Sequence, residues 1–265
     1  MTRSHIYNLD CFLSLISNIK SPRIVTIIGG GGKTSLMYYL VRILKEQGEQ
    51  VISTTTTKLS SQERSSHSFV KVTSLEEAYQ AVKIVSKKDE YTTLVSGADD
   101  YFPGKMVGIP GEWIDELAIE YPETLFIVEG DGSAGKSIKG HLAHEPVIPS
   151  RSSLVIVVVG IDSVGERVSS QQVHRSDRVC ELTGADSDSF VTTDLIVQLL
   201  FHPQGYLHNC RQHHLIVPFI NKVESVISHQ QAEELARKIL ASKHPQVGGV
   251  IIGSILNEEA LWLQA

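Results

Sequence analysis

Fully apolar runs alternate with stretches of helical period along most of this chain. Leu9, Leu13, Ile16 and Ile19 share one helical face and predict an N-terminal helix over about residues 9–20, stopped ahead of Pro22. Residues 24–28 are apolar apart from Thr26 and read as a buried strand, followed by four glycines. A helix with Leu36, Leu40, Ile43 and Leu44 on one face comes next, and Gly48 suits its C-terminal cap. Residues 51–53 begin a second strand that ends in Thr54-Thr55-Thr56-Thr57-Lys58. Further strands are expected at 92–95, 125–128, 154–159, 214–220 and 250–252, and helices at 75–85, 174–182, 193–201 and 230–240. The segments 61–68 and 99–111 read as loops, as does the long stretch from Gly130 to Pro149. Apolar strands alternating with helices predict an α/β fold, a mainly parallel sheet covered by helices on both faces. No linker or repeat divides the chain, so residues 1–265 are expected to form a single domain with loop insertions.

The first strand, the glycine run and the following helix form one unit of chemical interest. Glycines let successive N–H groups turn inward, and a helix N-terminus favours an anion. Gly29, Gly30, Gly31, Gly32, Lys33, Thr34 and Ser35 are therefore expected to cradle a nucleoside triphosphate, with Lys33 on the phosphates and the Thr34 hydroxyl on Mg²⁺. The spacing Gly29-x-x-Gly32-Lys33-Thr34 is shorter than the usual G-x-x-x-x-G-K-[ST] and resembles the phosphate loop of the Mur ligases, which bind ATP. Glu129 and Asp131, at the end of a strand, are jointly expected to orient the magnesium ion, and with Lys33 make up the catalytic set.

Two more constellations follow. Thr56, Lys58, Lys136, Lys139, His174 and Arg175 are candidates for a second anionic substrate, with Arg175 able to grip it bidentately. Asn221-Lys222-Val223-Glu224 has the look of the guanine-reading Asn-Lys-x-Asp motif, with Glu224 one methylene longer than the usual Asp. Whether ATP or GTP is the nucleotide stays open, as does an ordinary strand-to-helix turn at this position. His141-x-x-His144-Glu145 has metal-like spacing but no cysteine beside it, so a zinc site is not expected.

Composition narrows the classes. A formal charge of -6 disfavours a nucleic-acid partner. Three widely separated cysteines, Cys11, Cys180 and Cys210, suggest no disulfide framework, and fit a reducing, cytoplasmic setting. The apolar stretch near the N-terminus is interrupted by polar residues and is not read as a signal peptide, and no run is long enough for a membrane span.

Taken together, Gly29 to Thr34, Thr54 to Lys58, Glu129-Gly130-Asp131-Gly132-Ser133, residues 144–149, His174-Arg175 and Asn221-Lys222 resemble the YqeC family. That resemblance implies a P-loop NTPase-like protein accessory to selenium-dependent molybdenum hydroxylases. The expected partners are then a nucleoside triphosphate with Mg²⁺ and a molybdenum hydroxylase or its cofactor precursor. Two functions are carried forward: an NTPase or NTP-dependent transferase, and a nucleotide-switched accessory protein that docks a client hydroxylase.

Overall fold

The computed structural model describes residues 10–60, 68–85 and 91–264. Its first half runs α1 (Asp10–Ser17), β1 (Ile24–Gly29), α2 (Lys33–Glu46), β2 (Val51–Thr55), β3 (Lys58–Ser60), β4 (Ser68–Lys71) and α3 (Leu75–Val85). Then come β5 (Thr92–Val95), β6 (Gly97–Ala98), β7 (Lys105–Val107), α4 (Gly111–Glu120), β8 (Leu125–Glu129) and β9 (Ile138–Lys139). The chain ends with β10 (Leu154–Gly160), β11 (Val173–His174), α5 (Ser176–Thr183), α6 (Thr193–Phe201), β12 (Leu215–Asn221), α7 (Val226–Ala241), β13 (Gly249–Ser254) and β14 (Glu259–Gln264).

Nine strands form one sheet in the order β14-β13-β12-β10-β1-β8-β2-β5-β4. Every pairing in it is parallel except that of β13 with the edge strand β14. The central strands are apolar throughout because both faces are covered. Along β10, Leu154, Ile156 and Val158 pack into the core under α1 and α2, while Val155, Val157 and Val159 pack into the opposite core under α5, α6 and α7. A third cluster puts α3 and α4 over β8, β2 and β5 on that opposite face. The expected α/β architecture with helices on both faces is what the chain adopts.

Several boundaries moved. The predicted 230–240 helix starts earlier, at Val226, because Ser225 and Ser228 form a reciprocal capping box ahead of it. Helix α4 and strand β14 were not anticipated. Within the expected 99–111 loop, β7 pairs with β3 and β6 to make a small antiparallel sheet. Of the expected 61–68 loop, residues 61–67 lie outside the described residues, as do residues 1–9. Among the described residues, no helix is long and apolar enough to cross a membrane.

Strand order places the chemistry. β8 lies directly beside β1, with Glu129 level with Ile27 on one side and with Thr55 of β2 on the other. The carboxyl ends of β1, β8 and β2 therefore deliver the glycine loop, Glu129 and the threonine run to one edge of the sheet, where ligands of open parallel sheets bind.

Phe219 on β12 is buried and meets Phe12 of α1 edge-on, with ring centroids 5.2 Å apart. Phe219→Ala is expected to lower stability by about 3–5 kcal/mol in urea unfolding. Leu256→Ala, at a side chain 79% exposed, is expected to stay within about 0.5 kcal/mol.

Candidate functional site

Only Gly30, Gly31 and Gly32 separate β1 from α2. The loop is held from behind by its own backbone: Gly30 N–H donates to Val158 O (2.9 Å) and Gly31 N–H to Lys136 O (2.8 Å). Glycine is required by close approach. A Cβ on Gly29 would run into Val158 O, and one on Gly32 into the Asn221 amide, at φ of +100° and +123° respectively. Helices α6 and α7 begin with capping side chains, Thr192 and Ser225. Helix α2 begins on Gly32 and, like α4 and α5, has no capping side chain for its first N–H groups. Gly32, Lys33, Thr34 and Ser35 all line a cavity of about 820 Å³.

Beside them the Thr34 hydroxyl donates to Glu129 Oε2 at 2.7 Å. Glu129 also lines the cavity. Lys33 is turned inward. Its ammonium donates to Gly29 O (2.8 Å) and Ser133 Oγ (3.0 Å), and lies 3.7 Å from Glu129 and 3.4 Å from Asp131.

Asp131 occupies a different place from Glu129. It is fully buried beneath the loop, accepts the Gly29 N–H on both carboxylate oxygens (3.0 Å each), and lies 2.6 Å from His141 Nε2. Burial alone would raise its pKa. The Lys33 ammonium, the hydrogen bond from His141 and the Lys139 ammonium outweigh that and hold the carboxyl well below the usual carboxylate range. Burial also lowers the His141 pKa, partly offset by Asp131. Its Nε2 faces Asp131 Oδ2, and its buried Nδ1 has no hydrogen-bond partner among the described residues. Asp131, expected to act jointly with Glu129, does not line the cavity, and both its oxygens accept from the loop.

A chain of alternating charge runs on from there. Lys139 is buried between Asp131 (3.4 Å) and Glu145 (3.0 Å), and Glu145 in turn is clamped by both Nη atoms of Arg175. Burial pushes Glu145 up, but the Arg175 hydrogen bond and the Lys139 charge bring it down to about 2. His174 is lowered to about 4 by burial, then by the Arg175 and Lys139 charges.

The candidates for a second anion divide. Thr56, Lys58, His174 and Arg175 line the cavity; Lys136 and Lys139 do not. Lys139 is the internal link just described, and Lys136 serves through its carbonyl. Lys58 pairs with Asp99 at 2.6 Å and sits 4.4 Å from the Phe102 ring centroid. The base-reading expectation also changes. Asn221 spends both ends of its amide on structure, donating to Gly31 O (2.7 Å) and accepting from Ile255 N–H (3.0 Å). Glu224 accepts from Ser254 Oγ and does not line the cavity, whereas Lys222 does, tied to Ser137 and Asp162. Sequence reasoning missed Glu145 as a partner of Arg175 and missed Phe102 and Lys105 as lining residues. Only the charge of the 144–149 segment pointed toward the first.

Fold and site together define the class: an α/β protein of P-loop NTPase-like architecture, with a glycine loop, lysine and threonine opening α2 and an acidic strand end beside it. A family model described as "YqeC protein" matches residues 25–177, more than half of the chain. The chain belongs to the YqeC family. It is 33% identical over 159 residues to the uncharacterized protein YqeC of Escherichia coli (strain K12), and the match spans 60% of each chain. The family match takes in the loop, Glu129, Asp131, Glu145 and Arg175, and stops short of Asn221.

The buried charges set the acid response. His174 and His214 both have folded-state pKa values near 4 against an ordinary 6.5, and Glu145 near 2 against 4.5. Each is lowered, so each favours the folded state above its ordinary value and loses that contribution as pH falls. The urea midpoint is expected to drop first between pH 6.5 and 4 and again between 4.5 and 2. Glu145→Gln should shrink the lower stage, to which Asp131 also contributes, and leave the upper one.

Proposed function

We propose that this protein binds a nucleoside triphosphate with Mg²⁺ at the carboxyl edge of β1 and β8. On this reading it uses the nucleotide, as an NTPase or NTP-dependent transferase, in maturing a selenium-dependent molybdenum hydroxylase or its cofactor. The observation that carries it is the uncapped N-terminus of α2 opening on the same cavity as the Thr34–Glu129 hydrogen bond. The maturation role rests on family membership.

The residues fit magnesium. Mg²⁺ is held by one or two carboxylates together with phosphates and waters, in place of an all-protein cage. One carboxylate and one hydroxyl in contact at a cavity wall match that donor set, and no group of three or more metal-binding side chains occurs among the described residues. Bound there, the ion would neutralise charge on the phosphate oxygens. The protein's own part is positional. The first N–H groups of α2 orient the phosphates, and Lys33 leaves Gly29 O for a phosphate oxygen. Asp131 then keeps the loop in place through Gly29 while Lys139 balances its charge and His141 holds it by a hydrogen bond.

A second reading, a nucleotide-switched accessory protein that docks its client without small-molecule chemistry, draws on one feature. Tyr101 (87% exposed) and Phe102 (58% exposed) lie between β6 and β7, and Phe102 lines the cavity. A bound nucleotide would lie beside a surface suited to a protein partner. Stimulation of hydrolysis by a protein and not by small molecules would favour this reading over the first.

Titration of the protein with ATP and GTP, each with Mg²⁺, tests the shared core. Micromolar binding of one nucleotide is expected, weakened at least about tenfold in Lys33→Ala. Thr34→Val should bind nucleotide with a reduced response to Mg²⁺. Binding of neither nucleotide, or equal binding by Lys33→Ala, would overturn the proposal.

A further inference from the structure

The cavity is wider than the nucleotide reading needs. Lys222 follows β12 and Thr56 follows β2, and the sheet order puts four strand spacings between them. At about 4.8 Å per spacing this is about 19 Å across, with the phosphate loop in the middle. The loop, Thr34 and Glu129 use only the centre. On the side toward β2 the wall changes character: Val147 meets Thr56, Phe102 meets Lys58, and Lys105 lies level with Ser60 of β3, while His144, His174 and Arg175 belong to the same lining.

Three observations single out Arg175 in that wall. Its backbone is left-handed, at φ +56°, a conformation a long side chain adopts against its own preference and one that clusters at functional sites. Its planar fork is filled bidentately by a carboxylate, Glu145, the geometry with which arginine takes a phosphate. Glu145 can release that fork without becoming an unpaired buried charge, because Lys139 holds it from the interior at 3.0 Å. Lys105, in the same wall, has no ion-pair partner among the described residues, so the wall carries positive charge beyond its internal pairs.

We propose that the β2 side of the cavity is a second small-molecule site for a phosphate monoester, with Arg175 as its bidentate clamp. Glu145 is the internal carboxylate that fills the clamp when the site is empty. Phe102 and Val147 favour an ester of a planar alcohol over a free oxyanion, since a bare ion has no use for an apolar wall. The proposal takes its place beside the nucleotide from the reading above, but its anion chemistry stands on Arg175 and Glu145 alone.

Calorimetric titration of the intact protein with phenyl phosphate and with orthophosphate tests it, with and without a non-hydrolysable triphosphate and Mg²⁺ to occupy the loop. Phenyl phosphate is expected to bind loop-filled protein, and Arg175→Gln to weaken it at least about tenfold. Glu145→Gln removes the internal competitor and is expected to tighten it. A pair that only braces the fold would cost stability in both variants without moving affinity in opposite directions. Unchanged affinity in Glu145→Gln overturns the placeholder role even if Arg175→Gln fails to fold. Orthophosphate binding as tightly as phenyl phosphate overturns the monoester assignment in favour of a free oxyanion. If nucleotide binds and phenyl phosphate does not, this inference falls alone. Should phenyl phosphate bind through Arg175 while no nucleotide binds, the nucleotide reading falls and the second site stands.

Discussion

Asp131 keeps a negative charge where no water reaches it, and the centre of the molecule is arranged around satisfying it. The Gly29 N–H and Lys33, from the two ends of the glycine loop, and Lys139 and His141, from a distant stretch, converge on this one carboxylate. A buried carboxylate left short of partners is strongly destabilising, so each of those segments is held where its donor can reach. The loop between β1 and α2 is therefore tied at its first residue to the strand end that also supplies Glu129. Such charge chains add little net stability compared with apolar packing. Their effect here is geometric, since they fix a glycine-rich turn that has no side chains of its own to pack.

The chain of charge also joins two ends of the cavity. Lys33, Asp131, Lys139, Glu145 and Arg175 follow one another with alternating sign. A ligand that draws Lys33 outward leaves Asp131 more dependent on Lys139, and Lys139 is shared with Glu145. The position of Lys33 and the state of the Arg175 fork are thus parts of one electrostatic unit, which only a low-dielectric interior can sustain over this length.

Much of the fold could be read from residue patterns, because strands such as β1, β8 and β10 are apolar on both faces and bounded by glycine or charge. Helices α3 and α6 were equally plain, since their apolar residues repeat at helical spacing. Helix α4 was missed because it starts at Gly111 behind a proline and follows a loop rich in glycine and aspartate. Strand β14 was missed because its apolar run, residues 260–263, is only four residues long and mostly half-buried, as an edge strand is. At the site, the glycine loop, Lys33, Thr34 and Glu129 were legible from spacing alone. The different fates of Glu129 and Asp131 were not, since two carboxylates two residues apart look alike until the packing places His141 and Lys139 against one of them. Glu145 and Arg175 are 30 residues apart, and the short parallel ladder of β9 with β11, with Arg178 bonded to His141 O, brings their segments together.

Of the five non-glycine residues with positive φ among the described residues, Ala134, Arg175 and Lys222 line the cavity, while Lys243 and Glu258 do not. At Arg175 and Lys222 the main chain is shaped for glycine and carries a long cation instead. Glycine there would relax the backbone and discard the charge in the same step. A search for hardier variants of this protein would be drawn first to these two positions, and would strip the cavity wall of two of its cations.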